Sequence, residues 1–311
     1  MKLIFFGTGS FALPSLAVLR EHVSLVVTQP DRPTGRGMKL QPSPAKLLAQ
    51  EFDIPCETPE KARAIEFVER IEAEKADALV VASYGQILSQ RLLDSALRGG
   101  INLHGSILPR YRGAAPIQRS VLNGDPETGV TLMQMDRGMD TGDMIHIERL
   151  TIDPDETYGE LQDRLAILAA AMAREWLPKI IDGDYPRIVQ DSDQATTAPK
   201  IDRSEATLSF ARPAGEEYNR FRAFTPSPGV SLPTSLGSLK LARCRLSEMP
   251  TGTEDSPIAE PGAILATSPN LTVAFATGAI EFIELKPEGK KSMSGRDFAN
   301  GARLRPGMRL D

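Results

Sequence analysis

The 311-residue chain reads as an α/β protein in two parts: a parallel-sheet domain over 1–183, a connecting segment over 184–203 and a small antiparallel barrel over 204–311. Three observations predict this. Short apolar runs of strand length alternate with segments of helical period through the first part. The stretch DYPRIVQDSDQATTAPKIDR then lacks sustained periodicity and is rich in Asp, Thr and Pro. Beyond it, short apolar runs separated by Pro and Gly turns replace long helices, as in a small barrel. A chain of this length with 41% hydrophobic residues also fits two cores better than one.

In order, Leu3 to Phe6 is an unbroken apolar strand, GTGS a tight turn, Phe11 to His22 a helix and Val23 to Thr28 a second strand, together a βαβ unit. Helical spacing returns over Glu60 to Lys75, followed by the short apolar strand Ala78 to Ala82 and a further central strand at Ile101 to Leu103. Thr131 to Met135 and Met144 to Ile152 add strands, and Tyr158 to Ile181 is a long helix that Gly183 stops. After the connecting segment, Ala214 to Phe224 is helical. Leu239 to Ala242, Ala263 to Ala266, Leu271 to Ala276 and Ala279 to Leu285 are barrel strands.

Composition excludes several classes. A formal charge of −5 gives no global basic footprint, so a nucleic-acid partner must be met by a local patch. Two distant cysteines, Cys56 and Cys244, argue for reduced thiols in a cytoplasm and against a disulfide framework or zinc cluster. Gly7 to Ser10 interrupt the initial apolar run after four residues, unlike an export signal. No window approaches the ~20 apolar residues of a membrane span. The expectation is a monomeric cytoplasmic protein, with no membrane partner and no metal.

The chemistry concentrates in GINLHGSILPRYRG, Gly100 to Gly113. Residues two apart on a strand face the same side, so Asn102 and His104 can converge on one reacting centre. An amide N–H is an oxyanion donor and an imidazole a proton carrier, the pair that acyl transfer requires. Asp140 stands 36 positions further on, in the loop MDRGMDTGD. Taken singly, His104 reads equally well as a structural histidine and Asp140 as a turn residue between Gly138 and Gly142. Gly7-x-Gly9-x-x-Ala12, with Asp31, fits either a nicotinamide site or simple tight packing of strand on helix.

NLHGSILPRYRGAAPI followed by GVTLMQMDRGMDTGDM resembles the signature of the folate-dependent formyltransferase family. The resemblance runs in order through IFFGTGSFALPSL, TQPDRPTGRGMKLQPSPAK, VVASYGQIL and GARLRPGM. It implies a Rossmann-like catalytic domain joined to an OB-like barrel that helps hold tRNA. It further implies that Asn102, His104 and Asp140 are catalytic, with Ser106, Ile107, Leu108 and Pro109 in a folate-binding wall. Gln86, Ile87 and Leu88, with the backbone around Asp140, would form the pterin pocket. Without the resemblance, Ile87, Leu88, Ile107 and Leu108 read as ordinary core residues. The implied donor is 10-formyltetrahydrofolate and the implied acceptor the α-amine of initiator methionyl-tRNA. An amino sugar is the closest alternative acceptor, because the signature identifies the reaction better than the acceptor.

Two segments are locally basic. Residues 31–46 carry Arg32, Arg36, Lys39 and Lys46 against Asp31, a net +3, which is either a solvated loop or a surface for phosphates. With the resemblance, Arg36 and Lys39 belong to a loop that enters the tRNA acceptor end. Residues 286–311 carry seven basic and three acidic side chains, a net +4, in an otherwise acidic chain.

Overall fold

A computed structural model describes residues 1–34, 39–247 and 259–311. In chain order its elements begin with β1 (Leu3–Gly7), α1 (Leu13–Leu19), β2 (Val23–Val27), β3 (Arg32–Thr34), β4 (Lys39–Gln41), α2 (Pro44–Glu51), β5 (Cys56–Glu57) and α3 (Ile65–Glu72). They continue with β6 (Ala78–Ala82), α4 (Gln90–Leu93), β7 (Gly100–His104), α5 (Pro116–Leu122), β8 (Glu127–Gln134), β9 (Met144–Thr151) and α6 (Tyr158–Asp182). The last are α7 (Ala214–Ala223), β10 (Val230–Thr234), β11 (Gly237–Ser247), β12 (Ile264–Ala266), β13 (Leu271–Ala274), β14 (Ala279–Pro287), β15 (Met293–Ser294) and α8 (Gly295–Gly301). Contacts gather into one unit of 1–117, 127–151 and 161–200 and another of 118–126, 152–160 and 201–311.

The first unit is built on a seven-stranded sheet in the order β5-β2-β1-β6-β7-β8-β9. From β5 to β7 the strands are parallel; β8 and β9 run antiparallel to their neighbours. Only a short loop separates β8 from β9, too short for the crossover that a parallel pair needs. The chain builds outward from β1 to β5 and returns to β6 on the other side. The order therefore reverses between β1 and β6, where open α/β sheets bind ligands beyond their strand ends. All five residues of β1 and of β6 are buried, as their unbroken apolar runs require of strands covered on both faces.

One face packs Ile4, Phe6, Leu25, Val27, Leu79 and Val81 against Phe67, Val68 and Ile71 of α3 and Leu92 and Leu93 of α4. The helix expected over Glu60 to Lys75 forms only as α3. Its first residues are used otherwise: Gln86 Oε1 accepts from the Ala62 N–H at 2.8 Å, and Gln86 Nε2 donates to the Pro59 carbonyl at 3.1 Å. Gly7 approaches Ala12 so closely that a Cβ on Gly7 would lie 2.8 Å from the Ala12 Cβ. This is the tight strand-to-turn packing that Gly7 and Ala12 allowed.

The connecting segment is bound to the first unit as far as Lys200. Ile188 exchanges both backbone hydrogen bonds with Met144, at 2.8 and 2.9 Å, while Arg112 donates to the Thr196 carbonyl and accepts from the Ala198 N–H. Such an extended stretch follows its neighbours' hydrogen-bonding groups and needs no apolar period of its own.

The second unit holds an antiparallel sheet in the order β10-β11-β14-β13-β12, with β15 on β14. The chain's last residues span its outer strands. Ser235, just after β10, donates to the Leu310 carbonyl, Leu310 donates to Gly262 before β12, and Ile264 donates to Met308. This closes the sheet into the OB-like barrel.

Candidate active site

β7 is extended and central, so its alternation sends Asn102 and His104 to one face, both nearly buried at 8% and 6% exposure. The loop between β8 and β9 supplies Asp140. Its carboxylate lies 3.4 Å from Asn102 Nδ2 through Oδ1 and 3.7 Å from His104 Nδ1 through Oδ2. Oδ2 also accepts from the Gly113 N–H at 2.8 Å. Asn102 and His104, paired by strand alternation, and Asp140, assigned by the family resemblance, are thus brought together.

The other imidazole nitrogen is committed. His104 Nε2 lies 3.0 Å from the Tyr111 carbonyl, and since a carbonyl oxygen can only accept, Nε2 carries a proton. Nδ1 is therefore the nitrogen that faces the carboxylate and is open to gain or lose a proton. Tyr111 and Asp140 both adopt left-handed backbone, with φ of 62° and 55°, a costly conformation for residues other than glycine. Gly113 sits at φ 126° with its absent Cβ only 2.7 Å from the Ala198 carbonyl oxygen, so no other residue fits there.

Beside this cluster is a cleft of about 160 Å³ lined by Gln86, Ile87, Leu88, Met133, Met135 and the loop from Asp136 to Asp140. Asp140 belongs to both cleft and cluster. Ile87 is 76% exposed and Met139 is 63% exposed, which leaves apolar surface open to a flat ligand face at the mouth. The loop is internally braced: Asp136 Oδ1 accepts from the Gly138 N–H and from the Thr141 hydroxyl. Burial pushes the Tyr84 phenol far above its usual range, which keeps this side chain, in the same core cluster as Leu88, neutral.

The remaining expected residues divide. Gln86, Ile87 and Leu88 line the cleft, but the Gln86 amide is occupied in holding the 59–62 segment. Ser106, Ile107, Leu108 and Pro109 do not line it. Ser106 is fully buried with its hydroxyl on the Arg110 carbonyl, and Leu108 packs with Met133 and Met144. Ile107 and Pro109 are half-buried in the same turn after β7. Lys39 is exposed on β4, whereas Arg36 lies outside the described residues.

Sequence reasoning missed Met133, Met135 and Met139 in the cleft, although all fall within or beside the quoted motif. Nor did its polar, aperiodic surroundings single out Gln190, whose side chain donates to the Asp140 carbonyl at 2.9 Å. Among the described residues no group of three or more His, Cys, Asp or Glu could hold a metal ion, and no helix is long and apolar enough to cross a membrane.

A reversing parallel sheet that presents an amide, an imidazole and a carboxylate beside an open cleft, with an antiparallel second unit, defines an α/β group-transfer enzyme. The chain belongs to the formyl transferase family: residues 1–179 match the formyl transferase domain and residues 200–303 match the formyl transferase C-terminal domain. The methionyl-tRNA formyltransferase of Symbiobacterium thermophilum is 43% identical over all of this chain and 95% of its own length. That of Chromobacterium violaceum is 43% identical over all of this chain and 99% of its own. Among solved structures, an N-formyltransferase from Helicobacter canadensis in complex with folinic acid and dTDP-3-aminofucose has the same fold. Its TM-score is 0.65 at 18% identity, over 91% of this chain and 98% of that one.

Proposed function

We propose that the enzyme transfers the formyl group of 10-formyltetrahydrofolate to the α-amine of initiator methionyl-tRNA. The observation that carries the chemistry is the Asn102, His104 and Asp140 cluster at the edge of an open, partly apolar cleft. The acceptor rests on relatives named for methionyl-tRNA that match from end to end, C-terminal unit included.

The donor supplies an activated formyl carbon on N10, and the exposed Ile87 and Met139 surfaces suit the faces of its pterin. The uncharged amine attacks that carbon, and the carbonyl oxygen gathers negative charge. Asn102 Nδ2 donates to this oxygen. His104, held through Nε2 by the Tyr111 carbonyl, uses Nδ1 to take the proton from the amine and to pass it toward the departing N10. Asp140 accepts from a protonated Nδ1 and keeps the ring in register. The basic segments, Arg36 and Lys39 in one and residues 286–311 in the other, attract the phosphates of the acceptor.

The test supplies the purified enzyme with 10-formyltetrahydrofolate and, separately, charged initiator tRNA, charged elongator methionine tRNA and a free amino sugar. Selective formylation of the initiator is expected. Formylation of the sugar alone would keep the reaction and discard the acceptor, and transfer to none would overturn the reading.

A further inference from the structure

We propose that Gln190 is a positioning residue that locks the Asp140 loop to the segment holding His104. Its side chain is nearly buried, at 6% exposure, and every polar atom it carries is used. Nε2 donates to the Asp140 carbonyl at 2.9 Å and to the Gly142 carbonyl at 2.7 Å. Oε1 accepts from Arg112 Nε at 3.0 Å and Nη2 at 2.8 Å. One amide therefore joins the backbone on both sides of Thr141 to one guanidinium.

Arg112 stands between the two residues that touch the catalytic side chains from the other direction. Tyr111 gives its carbonyl to His104 Nε2, and Gly113 gives its N–H to Asp140 Oδ2. The Gln190–Arg112 link thus fixes the distance between the strand end that holds the imidazole and the loop that brings the carboxylate. Asp140 sits at a positive φ of 55°, less favourable than extended or right-handed backbone even for an aspartate, and hydrogen bonds to the carbonyls on both sides of Thr141 help to hold it there. The amide supplies two N–H donors to the carbonyls together with an acceptor for the guanidinium; a glutamate at this position would turn an oxygen toward two carbonyl oxygens.

This inference rests on the catalytic reading of Asp140 and His104, so its test separates the two. Gln190→Met keeps the length and apolar volume and removes all four hydrogen bonds. Formylation by the full chain is measured for wild type, Gln190→Met, Asp140→Ala and the double variant, with thermal unfolding of each. Gln190→Met is expected to lower kcat roughly 10- to 100-fold, the scale of a misplacement near 1 Å, with the KM for tRNA unchanged within about twofold. In the Asp140→Ala background the same substitution should cost almost nothing further, because its effect travels through Asp140. Multiplying losses in the double variant, or wild-type kcat in folded Gln190→Met, would overturn the proposal.

The His104 imidazole NMR signal is the readout that does not depend on turnover. It is expected to move in Gln190→Met toward its position in Asp140→Ala, and an unmoved signal would overturn the proposal whatever the acceptor is. Wild-type enzyme that formylates nothing, yet shows the moved signal in Gln190→Met, would instead sink the proposed reaction and leave the positioning role standing.

Discussion

At the scale of single residues, His104 is defined by the different fates of its two nitrogens. The Tyr111 carbonyl fixes the proton on Nε2, so proton traffic is confined to Nδ1 and to whatever lies between it and Asp140. Removing the imbalance at either end should therefore cost catalysis far more than stability. His104→Ala and Asp140→Ala are each expected to lower formyl transfer by at least about a hundredfold. Melting curves taken alongside should show both variants folded. Turnover at the wild-type rate in either would remove the role assigned to it. Asn102 and His104 were legible in the sequence because strand alternation alone puts residues two apart on one face. Asp140 needed the family resemblance, since nothing in periodicity says which of several loops folds back to β7. Gln190 was illegible for a stronger reason: its role is set by two backbone carbonyls and one guanidinium far away in sequence.

At the scale of elements, the loop from Met135 to Asp143 and the segment after β6 form opposing lips of the cleft. Their apolar residues Ile87 and Met139 line it and are exposed. Ile87→Ser and Met139→Ser should leave the melting temperature unchanged and weaken folate binding by roughly tenfold each, the loss of about 1.4 kcal/mol of newly buried apolar surface. Unchanged donor affinity by titration calorimetry would exclude these lips as the pterin site. In the second unit, Arg119 grips Glu205 with two hydrogen bonds, and this contact holds the Glu205 carboxyl below its usual range. A lowered carboxyl stabilises the fold fully above its unfolded value of about 4.3 and loses that contribution as pH falls through the lower folded value. The stability gap between wild type and Glu205→Gln in urea should hence be widest near neutrality and close in acid. A gap that widens in acid would contradict the assignment. Most elements were legible because burial on both faces writes unbroken apolar runs, as in β1 and β6. The helix α2 was not, although Ser43 caps it through the Lys46 N–H and Pro44 opens it. Its basic, Pro-rich surroundings read as a loop.

At the scale of the whole molecule, an acidic chain must attract a polyanion through local fields. The basic C-terminal stretch is not uniformly available for this, because Arg309 is engaged by Glu260 and Asp311. Lys290, Lys291 and Arg296 are exposed and make no ion pair among the described residues. Each is free to displace a counterion from a phosphate, and each such contact contributes about 0.7 to 0.9 to the slope of log affinity against log salt. Replacing all three by alanine should reduce that slope for methionyl-tRNA by about 2, as read by filter binding from low to moderate salt. Because none lies in the cleft or touches Asn102, His104 or Asp140, the affinity for 10-formyltetrahydrofolate should not change. A salt slope identical to wild type would mean that the RNA is drawn elsewhere, with the basic segment 31–46 the next to substitute. A parallel loss of folate affinity would mean that the substitutions disturb the fold, and melting curves would separate that outcome from a change in RNA contact.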